Sequence, residues 1–132
     1  MVRLTDDLSR TVYSTDNSVY QVHPQEVVVA ESVGEIAQLL TANYRLAAPR
    51  PVVARGGGTG TNGQSLTDGV MVDLKRGLNR ILSVDQHEMV AVVQPGVVTG
   101  ALNAELAQYG LQWATHTSTL NRATVGGMIS TD

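Results

Sequence analysis

Apolar positions in the first half of the chain form two short runs separated by a longer periodic stretch. The run QEVVVA at 25–30 follows Pro24 and predicts a buried strand. Apolar residues then recur at helical spacing over 33–44, which predicts an amphipathic helix. The run PVVA at 51–54 predicts a second strand. A strand, a helix and a strand at this spacing are typical of a βαβ unit with a parallel pair.

The predicted helix has a start signal and a defined apolar face. Ser32 stands three residues before Glu35, the spacing of a capping box in which the serine oxygen accepts from the Glu35 amide and Glu35 reaches back. We expect the apolar stripe of this helix to face the core. Its members are Val33, Ile36, Ala37, Leu40 and Tyr44.

The second half of the chain predicts a strand, a hairpin and another helix. VMVDL at 70–74 predicts the strand, and two β-rich runs at 80–84 and 89–93 predict the hairpin. Apolar residues recur at helical spacing over 98–109, and Gly110 suits the position after the helix end. Residues 111–127 predict mostly loop. The sequence therefore predicts an α+β fold, a mixed sheet with flanking helices.

Composition and charge exclude several kinds of site. Twelve acidic and nine basic residues give a net charge of −3 without a basic cluster, so a nucleic-acid partner is not expected. The absence of cysteine excludes disulfides, thiolate metal sites and iron–sulfur ligation within this sequence. The three histidines are too widely spaced to predict a metal site. No run approaches the ~20 apolar residues that span a bilayer, and we expect a cytoplasmic protein.

The glycine-rich stretch VVARGGGTGTNGQS at 52–65 carries the main chemical prediction. Five glycines fall within 56–63, directly after a predicted strand. Glycine lets the backbone approach a ligand closely, and successive amides can form a concave binding site for an anion. Arg55 and the hydroxyls of Thr59 and Thr61 add hydrogen-bond donors. Because α/β folds bind ligands at the carboxyl ends of strands, this loop predicts a pyrophosphate site.

Other interpretations of this loop stay open. Residues 58–63 spell G-x-G-x-x-G, but a turn and a strand follow where a dinucleotide-binding βαβ unit needs a helix. Residues 58–65 nearly match the phosphate loop of NTPases, with Gln64 in place of the lysine. The loop is also compatible with a plain glycine-rich connection, although a tight turn needs only one or two glycines.

Four segments resemble a known family in order and spacing. PVVARGGGTGTNG is similar to the pyrophosphate loop of the FAD-binding PCMH-type domain of the vanillyl-alcohol oxidase family. The segments 25–40, 69–106 and 115–132 are similar to its opening strand and helix, its hairpin and following helix, and its second flavin loop. YSTDNSVYQ at 13–21 and GGGTGTNGQ most resemble the D-2-hydroxyacid dehydrogenases, which oxidise D-2-hydroxyglutarate or D-lactate and are fused to an iron–sulfur region.

The resemblance implies the N-terminal part of a two-subdomain FAD-binding domain. Residues 1–24 would be an arm, 25–97 the first subdomain, and 98–132 a helix with the start of a truncated second subdomain. FAD would lie between the two glycine-containing loops. The residues that the resemblance assigns to FAD are Arg55, Gly56, Gly57, Gly58, Thr59, Gly60, Thr61, Asn62, Gly63, Pro95, Gly96, Ser118, Thr119, Thr124, Gly126 and Gly127.

The resemblance also implies what this sequence lacks. Some family members attach FAD covalently through a histidine of the first loop, but Thr59 stands there, so FAD is expected to bind non-covalently. We expect a fragment of a longer protein, without catalytic residues or metal ligands and inactive alone. The hydroxyacid site and any iron–sulfur cluster would lie in the missing C-terminal part. The oligomeric state stays open, as do a non-catalytic diphosphate-binding module and a purely structural α+β domain.

Overall fold

The first four strands of the chain form a four-stranded mixed sheet. The structure, a computed structural model, describes residues 1–131. The strands lie in the order β1, β2, β4, β3, with β1 antiparallel to β2, and with β2 and β3 each parallel to β4. Their bounds are Val2–Leu4 (β1), Glu26–Val29 (β2), Val52–Arg55 (β3) and Val70–Asp73 (β4). The predicted α+β class with a mixed sheet is confirmed.

β2 and β4 are the two central strands of the sheet. All four residues of β2 and all four of β4 are buried, as expected for central strands covered on both faces. Each strand has three apolar residues and one buried carboxylate, Glu26 in β2 and Asp73 in β4. β3 is only partly buried and lies at an edge. β2 and β3 run in the same direction as predicted, but they are not neighbours because β4 lies between them. Sequence spacing sets the direction of a crossover but not how many strands it passes.

The N-terminal segment contributes to this sheet. β1 pairs with β2, and helix α1 (Asp7–Val12) follows, with Asp6 accepting from the Ser9 amide at 2.8 Å. The sequence predicted only an arm here and missed the strand. A three-residue strand with exposed side chains carries too little periodic signal to be recognised. The predicted boundary at residue 24 stays a prediction.

Helix α2 (Val33–Tyr44) begins as predicted but turns a different face to the core. Ser32 Oγ accepts from the Glu35 amide at 3.2 Å, whereas the Glu35 carboxylate accepts from the Glu31 amide at 2.8 Å and pairs with the N-terminal ammonium. That ammonium, followed by the Glu31 amide, lowers the pKa of Glu35. The predicted core stripe is wrong at all positions but Ile36, which packs against the core. Val33 (73%), Leu40 (47%) and Tyr44 (83%) are exposed, as is Ala37.

The buried face of α2 carries Leu39 and Asn43. Asn43 donates to the Arg50 carbonyl at 2.9 Å and accepts from the Arg50 amide at 3.2 Å. A polar side chain is buried here because its hydrogen bonds hold the connection to β3. An apolar pattern cannot reveal such a position.

The second half of the chain forms a hairpin and two helices. β5 (Ile81–Asp85) and β6 (Val90–Val93) pair antiparallel as predicted. Helix α3 (Thr99–Leu106) continues into a 3₁₀ turn (Ala107–Tyr109) and ends at Gly110, whose φ is 68°. Helix α4 (Val125–Thr131) was not predicted, since the sequence indicated loop through residue 127. The predicted range 98–132 ends on a residue outside the described part.

Each half of the chain is stabilised by an apolar core of its own. The first lies between α2 and the four-stranded sheet, and the second lies between the hairpin, α3 and α4. Their most buried members are Val28, Leu39, Val70 and Val72 in the first, and Val97, Leu102, Leu106 and Val125 in the second. Over residues 1–131, no helix is long and apolar enough to cross a membrane.

Candidate functional site

A cleft of about 670 Å³ lies between the glycine loop and the segment that leads into α4. One wall follows β3 directly, and the other comes from residues 117–131, so the two predicted loops face each other across one space. The predicted residues that line it are Gly56, Gly57, Gly58, Thr59, Gly60, Pro95, Ser118, Thr119, Thr124, Gly126 and Gly127.

The second wall is anchored by buried hydrogen bonds at the start of α3. Thr99 is fully buried, and both its amide (3.0 Å) and its hydroxyl (2.9 Å) donate to the Ala123 carbonyl. The Val125 amide donates to the Val97 carbonyl at 2.9 Å. A rigid support of this kind holds a binding wall in place without a ligand.

Glycine at two positions of the loop is required by the surrounding protein. A Cβ at Gly57 would lie 2.1 Å from the Arg122 carbonyl oxygen, so the walls touch here only because the side chain is absent. Gly58 has φ +62°, and a Cβ there would lie 2.5 Å from Arg55 Nη2. These glycines therefore shape the cleft through protein contacts as well as by leaving room for a ligand.

The main-chain amides of the glycine loop are unusually free. Among residues 1–131, the amides of 56–61 donate to no protein acceptor, whereas the Asn62 amide donates to Gln64 Oε1 at 3.1 Å. A run of unused donors beside a cleft suits an anion with several acceptor oxygens. A pyrophosphate is such an anion.

Five predicted residues do not line the cleft, namely Arg55, Thr61, Asn62, Gly63 and Gly96. The Arg55 guanidinium instead donates to the carbonyls of Thr15 (2.7 Å) and Tyr13 (3.5 Å) and lies 5.6 Å from the centroid of the Tyr13 ring. The Gly96 amide donates to the Leu78 carbonyl at 2.7 Å. A role of these five residues in cofactor binding stays a prediction.

The cleft also contains residues that the sequence analysis did not select. They are Gln64, Ser65, Thr117, Met128, Ser130 and Thr131, together with residues of β3, Leu74 and Ala123. Thr117 is the most informative, because its Oγ1 is buried and has no hydrogen-bond partner within the described chain. The cluster of hydroxyl side chains in THTST at 115–119 is the sequence feature that could have pointed to Thr117. His116, which neighbours Thr117, is exposed and does not line the cleft.

Charged groups lie beside the cleft, where the N-terminal arm meets the sheet. Asp73 is buried; it accepts from the Tyr13 hydroxyl and, at 3.0 Å, from the Arg76 amide. Burial, and then the bond to Asp73, raise the pKa of Tyr13. Burial lowers the pKa of Arg55, although the charge of Asp16 opposes this shift.

A second cavity of about 610 Å³ lies beside β6, and its lining is apolar. It shares Pro95 and Gly126 with the first cleft, and it is otherwise formed by the hairpin, α3, α4 and residues 111–113. We call it the apolar groove. In the described chain, no group of three or more histidine, aspartate or glutamate side chains is placed to hold a metal ion.

Comparison with known proteins identifies the family. The model of the FAD binding domain family matches residues 24–132. The chain belongs to this family. The predicted cofactor, FAD, is thereby confirmed as the cofactor of the family.

Similar curated proteins include D-2-hydroxyglutarate dehydrogenases of Pseudomonas putida, with 49% identity over 96% of this chain, and of Escherichia coli, with 43% over 97%. A glycolate oxidase subunit of Bacillus subtilis is 34% identical over 92% of the chain. The chain spans 13% of the length of the two dehydrogenases and 26% of the oxidase subunit. A solved alkyldihydroxyacetonephosphate synthase has the same fold, with a TM-score of 0.84 at 22% identity over 98% of this chain and 26% of that protein.

The residues of the cleft fit the pyrophosphate half of FAD. The free amides of 56–60 offer donors, and the Thr117 hydroxyl, which has no partner among residues 1–131, offers one more polar group on the opposite wall. The lining contains no ionisable side chain among the described residues, so a diphosphate there would be held by main-chain and hydroxyl dipoles.

Proposed function

We propose that this chain binds the pyrophosphate of FAD in a flavin-dependent dehydrogenase that oxidises a D-2-hydroxyacid to a 2-oxoacid. One observation carries the proposal, namely the free amides of 56–60 opposite a hydroxyl-rich wall in a single cleft. The similarity to D-2-hydroxyglutarate dehydrogenases supports the substrate class.

Within this proposal, each wall has a distinct role. The amides of 56–60 donate to the pyrophosphate oxygens, and the hydroxyls of Thr117, Ser118 and Thr119 donate from the other side. Binding is non-covalent, since Thr59 stands where some members of the family have the histidine that attaches the flavin. FAD, when bound, supplies the hydride acceptor for the substrate C2–H bond. The chain itself positions the cofactor and contributes no catalytic residue.

The lining supports a second candidate, a non-catalytic module that binds another diphosphate. A cleft without acids, bases or histidine can bind a nucleotide but has no group for proton transfer. In the first proposal, the general base must come from another part of the protein. We further propose that the whole protein is cytoplasmic, has no nucleic-acid partner and acts on a small hydroxyacid. Self-association of the protein is a separate proposal.

Ligand titration of the protein as its gene encodes it separates these candidates. We expect a yellow protein with flavin absorbance, binding of FAD, and weaker binding of ADP than of FAD. Anaerobic addition of D-2-hydroxyglutarate should bleach the flavin absorbance, whereas the L-enantiomer should not. Binding of a colourless nucleotide without FAD binding would favour the second candidate. An isolated chain of residues 1–132 should show no turnover with an artificial electron acceptor.

A further inference from the structure

The N-terminal arm holds both ends of the glycine loop. At the first end, Arg55 Nη2 donates to the Thr15 carbonyl at 2.7 Å. At the other end, Ser65 Oγ donates to Asp16 Oδ2 at 3.1 Å. The two attachment points on the arm are consecutive residues, although the loop residues that they hold are separated by the whole glycine-rich stretch. The arm therefore fixes the distance between the ends of the loop.

Asp16 is the central residue of this contact. Its Oδ1 accepts from the Ser18 amide at 2.8 Å, so its carboxylate is oriented before it meets Ser65. Burial acts to raise the pKa of Asp16, but hydrogen bonds from Ser18 and Ser65 and the charge of Arg55 together lower it. The carboxylate is therefore charged at neutral pH and accepts both bonds.

The arm is held by hydrogen bonds within itself and by one bond to the sheet, without help from the loop. Ser14 is fully buried, and its hydroxyl donates to the Thr11 carbonyl at 2.7 Å and accepts from Gln21 Nε2 at 3.0 Å. The Val22 amide donates to the Ser14 carbonyl at 2.9 Å. Tyr13 is bonded to the buried Asp73. A fixed arm can restrain a loop that its own sequence leaves free.

We propose that Asp16 is a positioning residue for the FAD site, holding Ser65 so that the glycine loop keeps its binding conformation before the cofactor arrives. The inference rests on the proposed function. Five glycines give this loop large conformational freedom, and ordering it during binding would reduce affinity. Contacts that order the loop beforehand remove that cost. Neither Asp16 nor the arm lines the cleft, so the effect acts through Ser65 and Arg55.

The test compares Asp16→Ala with Asn17→Ala in the protein as its gene encodes it. Asn17 is the exposed neighbour on the same arm and makes no side-chain hydrogen bond in the described chain, so it is a matched control. We expect Asp16→Ala to raise the Kd for FAD about tenfold, as for loss of a charged hydrogen bond. It should also speed amide hydrogen exchange at Asn62 and Leu66 in the cofactor-free protein, since these loop amides donate to Gln64 Oε1 and to the Gly63 carbonyl. Asn17→Ala should change neither.

Two further variants separate positioning from a general loss of structure. Asp16→Asn keeps an acceptor for the Ser18 amide and a partner for Ser65, so it should restore most of the affinity. If Asp16→Ala lowers the thermal midpoint of the cofactor-free protein well below that of Asn17→Ala, the test uses Ser65→Ala instead. This variant removes the Ser65–Asp16 hydrogen bond by changing the loop and leaves the arm intact. Unchanged exchange at Asn62 and Leu66 in Ser65→Ala would then overturn the inference.

The two proposals fail in different ways. Wild-type protein that binds no FAD would contradict the proposed function, while the exchange measurement would still test the arm. FAD affinity in Asp16→Ala equal to that in Asn17→Ala, with wild-type protein binding FAD, would contradict only the role of Asp16.

Discussion

The two cavities of this molecule are similar in size and opposite in chemistry. The cleft measures about 670 Å³ and the apolar groove about 610 Å³. Glycines and hydroxyls line the cleft, whereas valine, leucine and tryptophan dominate the groove. Within the described residues 1–131, Trp113 Nε1 in the lining of the groove is buried without a hydrogen-bond partner, as Thr117 Oγ1 is in the cleft. Size therefore says little about function here, and it is the supply of free main-chain donors that supports the proposed diphosphate site in the cleft.

The comparison also shows two ways of using buried residues. Beneath the groove, Leu102 and Val97 pack into the second core and stabilise the fold. At the cleft, buried groups such as Thr99 hold a binding wall in position. We therefore expect changes under the groove to alter stability and changes in the cleft to alter cofactor affinity.

The largest expected effect comes from Leu102→Ala, which tests the groove side of this comparison. Leu102 is 1% exposed in the second core, and its truncation should lower the free energy of unfolding by about 3 kcal/mol. Denaturant unfolding measures this change, with Leu82→Ala, at a position 56% exposed, as the control. FAD affinity of the folded variant should stay within about twofold of wild type. A loss of affinity as large as that of a cleft variant would break the comparison.

A slightly smaller effect is expected from Gly57→Ala, which tests the cleft side. The new Cβ would lie 2.1 Å from the Arg122 carbonyl, so the walls must move apart. We expect the Kd for FAD to rise about 100-fold, equivalent to about 2.7 kcal/mol. Gly34→Ala is the matched control, because the nearest atom to its Cβ lies 3.8 Å away. Isothermal titration with FAD measures both variants, and equal affinities would remove the wall contact from the site.

The smallest effect is expected from a pair of variants that removes one hydroxyl from the cleft and adds one to the groove. Thr117→Val removes the unpartnered hydroxyl from the cleft, and Val92→Thr adds one to the groove, where Val92 is 50% exposed. If Thr117 bonds to the cofactor, its loss should cost about 1 kcal/mol, or about fivefold in Kd. Val92→Thr should leave FAD binding unchanged. Tighter FAD binding by Thr117→Val would show that this hydroxyl has no partner in the bound state.

Much of the fold was predictable because local chemistry specifies local structure. The Ser32 cap, the positive φ of Gly110 and the β-branched runs act over a few residues, and the structure has each element where they predicted it. The capping partner of Glu35 differed, because the N-terminal ammonium and the Glu31 amide compete for its carboxylate. Neither group is visible in a motif of four residues.

The sequence predicted which segments form the candidate site but not which contacts their side chains make. The glycine loop was selected from its glycines, and the second flavin loop was selected from the family resemblance of residues 115–132. Arg55 looked like a phosphate ligand because a cation precedes the glycines, but in the structure its guanidinium binds the arm. Thr117 was missed because only the fold shows that its hydroxyl is buried without a partner.

The sequence by itself predicted strands β2 to β6, helices α2 and α3, the family and the two loops that line the cleft, but not β1 or α4. Only the tertiary structure decided the position of β4 between β2 and β3, the buried face of α2 and the direction of Arg55. The reason is physical: propensities, caps and glycine conformations depend on neighbours along the chain. Strand order, burial and side-chain partners depend on residues that are distant in sequence and meet only when the chain is folded.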